Sequence, residues 1–105
     1  VSNHGGRQLD AAPPPLARLS AIRSAVGKDV PLIVDSGIMS GLDVVRVLSA
    51  GADFALIGRG FMYAVAALGN KGGEHAATIL LEEVRDVMAQ LGLQTINDVK
   101  RLGRG

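Results

Sequence analysis

The chain has 105 residues, eleven basic against ten acidic side chains, a formal net charge of +1 and no cysteine. A nearly balanced charge without runs of one sign excludes electrostatic attraction to nucleic acid or to an anionic membrane surface, and points to a small-molecule partner. The lack of thiols excludes disulfides, thiolate metal centres and thiol nucleophiles. No apolar stretch approaches the roughly 20 residues of a membrane span, and no basic region with an apolar signal core opens the chain, which therefore reads as soluble.

Val1-Ser2-Asn3-His4-Gly5-Gly6 reads as the end of a strand running into a loop, so the chain is expected to be a piece of a larger α/β design. Pro13-Pro14-Pro15 cannot continue a strand, but the third proline suits a first helical turn. Leu16, Leu19, Ile22, Ala25 and Val26 then mark a helix that Gly27 stops. Val30-Pro31-Leu32-Ile33-Val34 is too short for a helix and predicts a parallel strand buried on both faces, ending at Asp35. Ser36 to Gly41 is a glycine-punctuated loop, and Leu42 to Ala50 a helix closed by Gly51. The unit repeats as a buried strand over residues 53–57, a loop Gly58-Arg59-Gly60 and a helix from Phe61 to Leu68. After a polar turn, Ala76, Ile79, Leu80, Glu83, Val84, Val87, Met88 and Leu91 mark one long amphipathic helix. Thr95 and Asp98 stand in capping-box positions for a short last helix. Counting the opening loop as a strand end, parallel strands joined by right-handed crossover helices are predicted.

Two regions carry chemistry. His4 and Arg7 lie within four residues of each other at a strand's C-terminal end, the edge at which (β/α) barrels place catalytic groups. An imidazole there can take a proton near neutral pH, and an arginine fork can hold a carboxylate, which together suit a small organic acid. The alternative is a loop in which His4 caps a carbonyl and Arg7 pairs with a surface acid. The loops 35–41 and 58–60 follow consecutive strands and open helices, so two helix N-termini and Arg59 are expected to converge on a phosphate, unless these glycines only permit tight turns. Asp35 either binds a polar group of a cofactor or caps the following helix. His75 reads as a solvated turn residue, with no metal-ligand set around it. Phe61, Met62 and Tyr63 read as core packing, and Glu82, Glu83, Arg85 and Asp86 as a solvated face.

Ser2-Asn3-His4-Gly5-Gly6-Arg7-Gln8-Leu9-Asp10 closely resembles the active-site signature of the FMN-dependent α-hydroxy-acid dehydrogenase family. Asp35-Ser36-Gly37-Ile38, Ser40 to Arg46 and Gly58-Arg59 are similar to that family's flavin-phosphate region, and Asp-Ser-Gly after the strand is closest to the bacterial L-lactate dehydrogenase type. The resemblance covers essentially the whole chain. It implies that residues 1–105 are the C-terminal part of a (β/α)8 TIM barrel domain, with C-terminal helices appended. It further implies oxidation of an L-2-hydroxy acid such as L-lactate with FMN, His4 as base and Arg7 on the substrate carboxylate. Asp35, Ser36, Gly37, Met39, Gly58 and Arg59 would surround the flavin ribityl and phosphate groups.

Met39 departs from the pattern, because the family usually has arginine there; weaker flavin retention is expected. The resemblance places the substrate tyrosines, the flavin-ring lysine and the acid that pairs with the histidine in the family's N-terminal half. These 105 residues alone are therefore expected to be inactive and to associate through open barrel edges, in a homo-oligomeric enzyme that is cytoplasmic or peripheral to the inner membrane. A phosphate-binding half-barrel module and an inactive family member are the competing readings. A pure phosphate binder has no need of His4 and Arg7, whereas the inactive member is suggested by Met39 and would be separated by flavin stoichiometry.

Overall fold

Pro15 opens helix α1 (Pro15–Val26) in its first turn, where a missing N–H removes no hydrogen bond, and Gly27 ends it. The computed structural model describes residues 1–103, with Gly5 and Arg7 described by their backbone alone. Strand β1 (Ile33–Val34) leads through a loop to α2 (Gly41–Ser49), and β2 (Phe54–Ala55) leads into α3 (Arg59–Leu68). A 3-10 turn, Gly69–Lys71, connects to the long α4 (Gly72–Gln90), and α5 (Ile96–Leu102) follows. Thr95 and Asp98 form the expected capping box: Asp98 N–H donates to Thr95 Oγ1 at 3.1 Å and Thr95 N–H to Asp98 Oδ2 at 3.0 Å.

The strands pair in parallel, Ile33 opposite Phe54 and Val34 opposite Ala55. Val1 extends this ladder on the other side of β1. Its amino group donates to Ile33 O at 2.6 Å and its carbonyl accepts from Asp35 N–H at 3.0 Å, the parallel pattern around Val34. Strand ends thus lie side by side in chain order, as successive βα units require. Two boundaries differ from the sequence reading. Helix α3 begins at Arg59 rather than Phe61, and α4 begins at Gly72 rather than after the glycines. In the second case the glycine serves a crossing: a Cβ on Gly72 would strike the carbonyl of Ala64 in α3.

The core lies between the sheet and its helices. Leu19 of α1, Leu32 and Val34, Ile38 of the loop, Val45, Val47 and Leu48 of α2, and Val99 of α5 are all buried. The expectation that the strands are buried on both faces is corrected. Ile33 is 45% and Phe54 61% exposed, whereas Val34 is 1% exposed, so only alternate side chains reach the core. Helices cover one face of the sheet and nothing among the described residues covers the other. The molecule is accordingly a slab, 41 × 40 × 21 Å, with a radius of gyration of 14.7 Å against about 13 Å for a closed globule of this length. No helix among the described residues is long and apolar enough to cross a membrane.

At the N-terminal ends of the strands, Asp53 ties α1, α5 and the residue before β1 to the start of β2. It accepts from Arg23 of α1 at 2.6 Å, Lys100 of α5 at 2.9 Å and the Leu32 N–H at 2.8 Å. Chiefly the Leu32 N–H, and then Lys100 and Arg23, hold its carboxyl well below the usual carboxylate range. A depressed folded-state pKa stabilises the fold at pH values above the unfolded pKa of about 4, and the contribution fades as pH falls below it. Asp53→Asn is expected to lower stability by about 1–2 kcal/mol at neutral pH, allowing for partial exposure. In urea titrations of the full-length protein, the gap between variant and parent should narrow between about pH 4 and pH 2. A gap independent of pH would show that the carboxylate charge is not what matters.

Candidate active site

The loops after the strand ends face one open cleft of about 1010 Å³. Asn3 and His4 line it from the first loop, Asp35, Ser36, Gly37, Ile38 and Met39 from the second, and Gly58, Arg59 and Met62 from the third. The structure therefore brings together His4 and every sequence-assigned cofactor residue. The Arg7 side chain, the sequence-assigned carboxylate binder, lies outside the described residues; its backbone belongs to the 3-10 turn His4–Arg7.

Local chemistry fixes each loop. Ile38 is 4% exposed and plugs the second loop into the core, leaving its neighbours Gly37 and Met39 at the surface. Asp35 does not cap α2. That role falls to Ser40, whose hydroxyl accepts from Asp43 N–H at 3.2 Å, so of the two readings of Asp35 the capping one is excluded. Asp35 instead accepts the Ser36 hydroxyl proton at 3.1 Å.

The expected convergence of two helix N-termini is corrected to one. In α2, Gly41 N–H donates to the Glu83 carboxylate of α4 at 3.3 Å, and Met39 N–H donates to Asp43 at 3.1 Å. Glu83 thus takes the first N–H of α2 and Ser40 the third, while Asp43 takes the N–H of the loop before it, so this end has fewer free donors for an anion. Glu83 was expected on a solvated face. It lies 42 residues from Gly41 in sequence, and only the crossing of α4 over α2 reveals its partner, at a point where a Cβ on Gly41 would strike Glu83 and Val84. The first turn of α3, by contrast, has no side-chain cap. Its entry residue Gly58 has nothing within 4 Å of where a Cβ would stand, and exposed Arg59 begins the helix. Unshared N–H donors, a helix N-terminus, an arginine and an approachable glycine form a donor set that fits a phosphate monoester.

Met62 and Tyr63 were expected in the core, yet they are 67% and 59% exposed. Helix α3 buries no residue completely among those described, and Met62 lines the cleft. Exposed His75 lies on α4, apart from the cleft, and no group of metal ligands occurs among the described residues.

A family model described as FMN-dependent dehydrogenase matches residues 1–103. The chain is 48% identical over 99 residues to an L-lactate dehydrogenase of Bartonella tribocorum, an alignment covering 94% of the chain and 26% of that enzyme. It is 46% identical over 99 residues to an L-lactate oxidase of Alicycliphilus denitrificans, covering 94% of the chain and 27% of the relative. Mandelate oxidase solved with benzoyl-formic acid superposes with a TM-score of 0.90 at 44% identity, covering 96% of this chain and 30% of the other. A mandelate oxidase variant carrying a monooxide FMN adduct gives the same score and identity, covering 32% of its chain. The chain thus spans about a quarter to a third of the length of the proteins it matches.

Proposed function

This chain belongs to the FMN-dependent dehydrogenase family, and from that membership we propose that the full-length protein oxidises an L-2-hydroxy acid, L-lactate first among candidates, to the 2-oxo acid with FMN as electron acceptor. The slab is then the C-terminal portion of an eight-stranded barrel, whose interior face is the exposed face carrying Ile33 and Phe54. One observation carries the reading: a histidine and an uncapped, arginine-bearing helix N-terminus open onto the same cleft.

In this reading the first turn of α3, Arg59 and the exposed backbone of Gly37 and Gly58 hold the flavin phosphate, while Asp35 accepts from a hydroxyl of the ribityl chain. Met39 borders the phosphate without adding charge. Bound FMN supplies a two-electron acceptor. Oxidising the alcohol carbon removes two electrons and two hydrogens from the substrate, and at least one hydrogen must leave as a proton. We assign that proton to His4, which lines the cleft and is exposed, while its backbone N–H donates to Ser2 Oγ at 3.1 Å. Arg7 is assigned to the substrate carboxylate, where a planar guanidinium offers two parallel donors.

Flavin absorbance tests the reading directly. Full-length protein loaded with FMN and mixed with L-lactate in the absence of oxygen should bleach. A flavin that binds but stays oxidised with L-lactate, L-mandelate and glycolate would refute it, and a protein that takes up no FMN would point to a phosphate-binding or inactive relative.

A further inference from the structure

Ser36 has a φ of 76°, and is the one non-glycine residue at positive φ among those described. A side chain in this left-handed region is disfavoured by about 1–2 kcal/mol, and it persists where surrounding contacts hold it. Those contacts are visible. The Asn3 N–H donates to Ser36 Oγ at 2.9 Å, Ser2 Oγ lies 3.4 Å from it, and Ser36 Oγ donates to Asp35 Oδ1 at 3.1 Å. A hydroxyl has one proton and two lone pairs. Since the carboxylate can only accept, the Ser36 proton goes to Asp35, and the Ser2 hydroxyl must be the donor in the serine pair. The Ser36 hydroxyl is then fully used, with no proton left for a phosphate oxygen.

The same contacts reach His4. Its N–H donates to Ser2 Oγ, whose own proton points to Ser36. A chain of hydrogen bonds therefore runs from the His4 backbone through two serine hydroxyls to Asp35, and a second link enters through Asn3.

We propose that Ser36 is a positioning residue rather than a flavin-phosphate ligand: its hydroxyl clips the His4 loop to the Asp35 loop, setting the proton-accepting imidazole against the cofactor side of the cleft. This rests on the function proposed above, but the clip itself can be tested without turnover.

Two variants of the full-length protein separate the hydroxyl from the backbone strain. Ser36→Gly removes both, whereas Ser36→Ala removes the hydroxyl and keeps the Cβ at positive φ. Hydrogen exchange followed by mass spectrometry should show faster exchange in the peptide containing Asn3 and His4 for both. Melting temperature should be lower for Ser36→Ala than for Ser36→Gly. In both variants kcat should fall to a similar extent, on the order of ten- to a hundredfold, with FMN content unchanged, because displacing a reacting group costs rate more than binding. Unchanged exchange in the Asn3–His4 peptide would overturn the proposal. So would a kcat that tracks melting temperature, or FMN affinity that drops while kcat per bound flavin holds. If the parent itself is not reduced by any 2-hydroxy acid, the functional reading fails, and the exchange result still decides the clip.

Discussion

Replacing His4 by Gln in the full-length protein should lower kcat for L-lactate by about 10²–10⁴-fold, the range a positioned general base contributes. Glutamine approximates the shape and polarity of imidazole but cannot accept a proton near neutral pH. The backbone tether through Ser2 does not involve the imidazole, so the loop should keep its conformation and FMN content should match the parent. Anaerobic stopped-flow bleaching by L-lactate is the measurement, because it isolates flavin reduction from whatever later accepts the electrons. A variant that bleaches at the parent rate would remove His4 from the chemistry and leave it as a loop residue. Equal loss of bleaching and of bound flavin would place His4 in cofactor binding instead.

Arg59→Ala should weaken FMN binding by about 10- to 150-fold, equivalent to about 1.5–3 kcal/mol for a hydrogen bond to a charged group. The substitution leaves a good helix former at the start of α3, so the helix and its N–H donors should survive and the loss should report the guanidinium alone. Fluorescence titration of flavin-stripped protein measures it. Met39→Arg should act in the opposite direction, tightening binding several-fold, since Met39 is 44% exposed on the cleft wall and a longer cation can extend there without repacking the core. Unaltered affinity in Arg59→Ala would move the phosphate away from α3. Unaltered affinity in Met39→Arg would show that the α3 end already satisfies the phosphate.

Much of this protein is legible in its sequence because the signals are local. Pro15 and Gly27 bracket α1, the Thr95 capping box starts α5, and the short apolar runs mark the strands, since each depends on residues within one turn or one strand. The residues from Ser2 to Asp10, with the Asp35 and Gly58-Arg59 loops, sufficed to identify the family, and the βα rhythm placed those loops at one edge of a parallel sheet, where the structure finds them around one cleft.

What tertiary structure decided is how each donor and acceptor is used, because the partners are remote in sequence. Glu83 accepts from the first N–H of α2 from 42 residues away, so of the two helix ends expected to face an anion only that of α3 is left without a side-chain partner among the described residues. The hydroxyl of Ser36 turns back to Asn3 and Asp35, which no spacing rule predicts, as its backbone must first adopt positive φ. Burial also escaped the sequence. Ile33, Phe54 and Met62 are apolar and were assigned to interiors, yet they are exposed within these 105 residues, because an apolar pattern shows which side chains seek cover and only the assembled layers show what supplies it; in the barrel proposed above, Ile33 and Phe54 face the interior.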